Sequence, residues 1–74
     1  MNKGRRYNIY RIIASPQGGR IRQFVGWADN MGEAVRRAHE ICEEAKNEFI
    51  EAVEVIDREM TPDIAVYRAD RSKN

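Results

Sequence analysis

His39, Cys42 and Glu43 come nearest to chemistry by residue type and spacing. On a helix, His39 and Cys42 at i and i+3 share a face and can touch one metal ion. A zinc-protease helix needs a second His four residues after the first, and that position holds Glu43. The chain contains one His and one Cys, too few to complete a tetrahedral site. The plainer reading is a half-exposed His39 beside a core thiol, with no metal and no cofactor. The side-chain nucleophiles are Ser15, Thr61, Ser72 and Cys42. Ser15 falls in a Pro-Gly turn and Ser72 in a polar tail, and nothing places His39 beside either as a base. Gly18-Gly19-Arg20 lacks the glycine spacing and following helix of a phosphate loop. The sequence therefore predicts no enzyme.

Charge is more informative than any of these. The net charge is +1, yet residues 1–22 sum to +6 and residues 23–60 to −6. The basic stretch contains Arg5, Arg6, Tyr7, Tyr10, Arg20 and Arg22. Arginines beside aromatic side chains on a sheet can neutralise phosphates and stack bases. Nucleic acid is therefore one expected partner class, through Arg5, Arg6, Tyr7, Arg20 and Arg22. Against it stand the charge balance and the ten acids in the middle of the chain.

Five elements must position these residues. Asp29 to Lys46 reads as the helix: Met31, Ala34, Val35, Ala38, Ile41, Cys42 and Ala45 form one apolar stripe. Asn30 and Glu33 give a capping-box pattern. Tyr7 to Ala14 and Ile21 to Ala28 read as a hairpin around Ser-Pro-Gln-Gly-Gly. Phe49 to Asp57 and Ile64 to Ala69 read as two further strands, separated by a turn containing Pro62. Residues 1–6 and 70–74 read as flexible tails. The whole is one small domain, 1–74, of the α+β class: ββαββ, a four-stranded antiparallel sheet of order 2-1-3-4 with one helix on one face. The absence of a long apolar run and of an h-region, with a single Cys, predicts a cytoplasmic protein away from membranes.

One helix leaves one face of the sheet open. Setting Arg11 opposite Glu54 pairs opposite charges on that face and places Ile9 opposite Ile56. On this register the open face carries Ile9, Arg11, Ile13, Ile50, Glu54, Ile56 and Tyr67. Such an apolar patch calls for a protein partner or a second copy of the chain as a homodimer. Phe24 and Trp27 then lie on opposite faces of the second strand.

The runs Glu33-Ala34-Val35-Arg36-Arg37-Ala38, Val53-Glu54-Val55-Ile56-Asp57-Arg58 and Val66-Tyr67-Arg68 resemble many small bacterial and phage proteins, in which one helix crosses a sheet ending in a hairpin. In size and arrangement the chain is similar to several small anti-CRISPR inhibitors encoded by phages. The resemblance implies a non-enzymatic protein that docks on an RNA-guided nuclease complex or its recruiting partner. It carries over no functional residues.

Overall fold

β-branched and aromatic residues set the strands, and a computed structural model describes residues 6–44, 50–60 and 62–71. The elements are β1 (Tyr7–Ala14), β2 (Arg20–Ala28), α1 (Met31–Glu44), β3 (Ile50–Asp57) and β4 (Ala65–Asp70). The sheet order is β2-β1-β3-β4, with every pair antiparallel, so the expected topology holds. The proposed helix end at Ala45 and Lys46, and Phe49, Thr61, residues 1–5 and residues 72–74, lie outside the described residues. Arg6 and Asp70, expected in the tails, are instead held by hydrogen bonds to Asp57 and Arg68 respectively.

The β1–β2 turn works through its glycines. Gly18 and Gly19 take φ of 95° and 84°, values that L side chains rarely adopt. The Gly18 N–H donates to the Ser15 carbonyl and the Ser15 N–H to the Gly19 carbonyl, both at 3.0 Å. At the helix start, Asn30 Oδ1 accepts from the Glu33 N–H at 2.8 Å. This is half of the expected capping box, because the Glu33 carboxylate turns to Arg36 at 4.0 Å. Asn30→Ala removes the cap and is expected to cost about 1 kcal/mol. Thermal denaturation should show this as a Tm lower by about 4–8 °C in a domain of this size.

The core lies between α1 and one face of the sheet. Ala34, Ala38 and Cys42 from the helix pack with Ile9, Ala28, Val53, Val55 and Ala69, flanked by Tyr7, Met31, Ile41 and Tyr67. Two alanines in the stripe let the helix lie close to the strands. Burial pushes the Cys42 thiol above its ordinary value, and its Sγ lies 3.9 Å from the Ala69 carbonyl oxygen. That makes it a protonated core group rather than a nucleophile.

The register differs from the expected one by a single residue. Tyr10, not Arg11, stands opposite Glu54, and Arg11 stands opposite Val53. A one-residue slip exchanges the faces of a strand, so β1 turns Ile9 toward the helix and Tyr10 and Ile12 away. The reason Arg11 can share the helix-side face is the path of α1. From the middle of α1 Arg37 donates to the Trp27 carbonyl on β2 at 2.8 Å, and nearer its end Cys42 reaches Ala69 on β4. The helix crosses the sheet diagonally and leaves the hairpin corner free. There Arg11 donates to Gln23, and Ile21, opposite Ile13, stays exposed.

Candidate functional site: the open sheet face

The face turned from the helix is built from the even-numbered residues of β1 and their partners. Asn8 stands opposite Trp27 and Ile56, Tyr10 opposite Phe24 and Glu54, and Ile12 opposite Arg22 and Ala52. Arg68 on β4 stands opposite Glu54. Phe24 and Trp27 share this face because β2 carries an extra residue, Val25, where Ile9 and Tyr10 pair with Gly26 and Phe24. The bulge resets the alternation. Two residues three apart, expected on opposite faces, therefore meet edge to face with ring centroids 5.0 Å apart. Tyr10 joins them, 5.7 Å from Phe24. Phe24 and Trp27 remain 43% and 39% exposed, a large open aromatic surface for one corner of a sheet.

The predicted site residues fare unevenly. Ile9 is not on the open face: it is fully buried beneath the helix. Arg11 and Ile13 share its side of β1, and Ile50, opposite Ile13, goes with them. Tyr67 packs against the same core. Of the expected set only Glu54 and Ile56 face outward, and Ile56 is buried. Sequence reasoning missed Tyr10, Phe24 and Trp27 as a cluster. The available signal was Gly26, since an isolated glycine inside a strand pattern marks a bulge.

The rest of the face is a lattice of ion pairs. Arg20 meets Glu51 at 2.7 Å, and Arg22 meets Glu54 at 3.3 Å. Both bridges run from β2 to β3 and so pass over β1, which helps explain why outward Ile12 and Ala52 are only 7% and 0% exposed. Arg68 meets Glu54 at 3.0 Å and Asp70 at 2.7 Å. These hydrogen bonds, chiefly that to Asp70, raise the Arg68 pKa further. The Arg22 guanidinium lies 5.4 Å from the Tyr10 ring centre. Asn8 Nδ2 donates to the Tyr10 hydroxyl at 3.1 Å, while Asn8 Oδ1 is buried with no hydrogen-bond partner among the described residues.

The nucleic-acid candidates do not gather on one open surface. Arg6 is bound bidentately to Asp57 and lies over the Tyr7 ring. Tyr7 packs against the core, and Arg5 is outside the described residues. Arg20 and Arg22 are paired as above. Part of the charge separation along the chain is thus closed in the fold, Arg6 against Asp57 and the β2 arginines Arg20 and Arg22 against Glu51 and Glu54 of β3. His39 hydrogen-bonds the Tyr67 hydroxyl. Among the described residues no group of three His, Cys, Asp or Glu is placed to hold a metal ion, and no helix is long and apolar enough to cross a membrane. No family model, curated protein or solved structure matches the chain.

Proposed function

We propose that the chain is a non-enzymatic protein–protein interaction domain that docks through the aromatic corner of its open sheet face. The observation that carries this reading is the exposed Phe24–Trp27 pair with Tyr10, beside arginines that already have carboxylate partners. Interface cores are enriched in Trp, Tyr, Phe and Arg and depleted in unpaired charge. The resemblance to phage-encoded inhibitors makes a host RNA-guided nuclease complex the partner class of choice. The homodimer reading loses Ile9, Ile13 and Ile50, which lie on the helix side, and keeps only the aromatic corner as a contact.

The second reading, a small nucleic-acid-binding module, draws on the same rings with Arg22 alongside, because bases stack on such platforms. Its arginines would have to exchange carboxylates for phosphates.

Immobilised wild type and Phe24→Ser, with Arg36→Glu on the helix as the surface control, separate these readings in host lysate. The expected result is a defined protein retained by wild type and by Arg36→Glu, and lost roughly tenfold or more in Phe24→Ser. Retention that needs nucleic acid and collapses between about 50 and about 200 mM salt belongs to the second reading. Equal retention by all three proteins sinks the first.

A further inference from the structure

The aromatic corner has a shape, a size and a charge that narrow its occupant. Both edge strands are bulged, β2 at Val25 and β4 at Val66. Bulges disrupt the ladder and protect sheet edges from pairing with another strand, so strand addition is disfavoured at either edge. On the open face Arg20, Arg22 and Arg68 are countered by Glu51, Glu54 and Asp70, which leaves little attraction for a polyanion. Two rings at 43% and 39% exposure amount to an open apolar strip on the order of 200 Å². A stable dimer needs about 800 Å² from each partner, so the strip is too small to hold a second copy alone. What remains is a narrow, uncharged, extended ligand that offers apolar rings and does not need strand pairing.

We infer that this corner receives a proline-rich segment of a protein partner, laid extended across Tyr10, Phe24 and Trp27. The inference rests on the interaction-domain reading above and names the chemistry of that partner. Proline segments are already extended in solution and lose little entropy on docking, and their rings pack on aromatic-lined grooves. They have carbonyl acceptors but no backbone N–H donors. The Tyr10 hydroxyl suits that chemistry: it accepts from Asn8 Nδ2, so its own proton remains to be donated to a ligand carbonyl.

Trp27 is the only tryptophan in the chain and reports directly. Titration of wild type with a synthetic decaproline peptide is expected to give a saturable blue shift of Trp27 emission. Phe24→Ala, checked for folding by circular dichroism, should weaken binding roughly tenfold. Tyr10→Phe should weaken it less, and salt between about 50 and about 300 mM should leave it unchanged. Unchanged Trp27 emission at millimolar peptide overturns the inference. So does a shift produced by raising the protein concentration alone, which means a second copy, or by oligothymidylate alone, which means nucleic acid. Competition separates this inference from the reading it rests on. If lysate capture depends on Phe24 but decaproline neither displaces the captured protein nor shifts Trp27, the proline inference fails and the interaction domain stands.

Discussion

Ile9→Glu is expected to leave no folded protein at 25 °C, whereas Trp27→Glu on the same sheet is expected to fold. Ile9 is fully buried among Ala34, Ala38, Val53 and Val55. A carboxylate there must either remain charged without water or take up a proton at neutral pH. The second route is the cheaper, and buried acids show what it costs. Their pKa values rise by up to about 3–5 units, which at pH 7 to 8 approaches 3–5 kcal/mol. Losing the burial of the isoleucine adds about 1.5–3 kcal/mol. A domain of this length holds roughly 4–11 kcal/mol in total, and small domains sit toward the lower end. The two penalties together, about 4.5–8 kcal/mol, match or exceed the lower part of that range, where a small domain sits. Ile9→Ala, at about 2–5 kcal/mol, is the graded version and should give a folded protein of lower Tm. Far-ultraviolet circular dichroism and a urea titration read all three variants. A native-like Ile9→Glu would mean that β1 presents Tyr10 and Ile12 to the helix instead, and the register given above would be wrong by one residue.

That register is where the sequence was least legible, for a physical reason. The order of strands follows from a hairpin, one helical crossover and a second hairpin, all visible in the pattern of apolar runs and turn residues. The faces of β3 were readable from Ala52 to Ile56, because Glu54 interrupts a run of Val and Ile and must seek solvent or a partner, but not at Ile50, beyond the irregularity in the β1–β3 ladder. β1 offers no such contrast, since each of its faces carries one polar residue, Asn8 on one and Arg11 on the other. Arg11 argued for an outward face, but the diagonal path of the helix leaves it solvated on the inward one. Each of the three ladders also contains a bulge, at Ile9/Tyr10, Ile12/Ile13 and Val55/Ile56. Each bulge shifts the phase of alternation by one residue, so a face inferred at one end of a strand fails at the other. Strict alternation puts Phe24 and Trp27 on opposite faces, and the extra residue Val25 brings them together in the fold. The charge pattern misled in a similar way. A strongly basic start and an acidic middle read as a dipole, but the fold brings Arg6 to Asp57, Arg20 to Glu51 and Arg22 to Glu54.

Asp57 concentrates the second large effect, on stability and on its pH dependence. It is a mostly buried carboxylate at the end of β3. Arg6 donates to both of its oxygens, Nε to Oδ1 at 3.2 Å and Nη2 to Oδ2 at 3.0 Å. The Glu59 and Met60 N–H groups donate to Oδ1 at 3.0 and 3.3 Å and shape the turn toward β4. The Arg58 N–H donates to the Arg6 carbonyl at 3.0 Å. One side chain therefore joins the start of β1 to the connection between β3 and β4. Asp57→Ala removes all four acceptor contacts and should lower Tm on the order of 10 °C. The ionised form is what these donors hold. The Arg6 hydrogen bond, above all, and the two backbone N–H groups keep the Asp57 pKa below its ordinary value, against a desolvation that works the other way. A carboxylate with a folded pKa below its unfolded one contributes stability above the unfolded value and loses it as pH falls through the folded value. Wild-type Tm should accordingly fall below about pH 4. Asp57→Asn keeps the shape and an acceptor for the turn but cannot ionise. It should start from a lower Tm at pH 7 and converge toward wild type on acidification. Parallel Tm curves from pH 7 to pH 2 would show that the Arg6–Asp57 pair does not hold the charge in solution, and the joint between β1 and the β3–β4 turn would then rest on the backbone bonds alone.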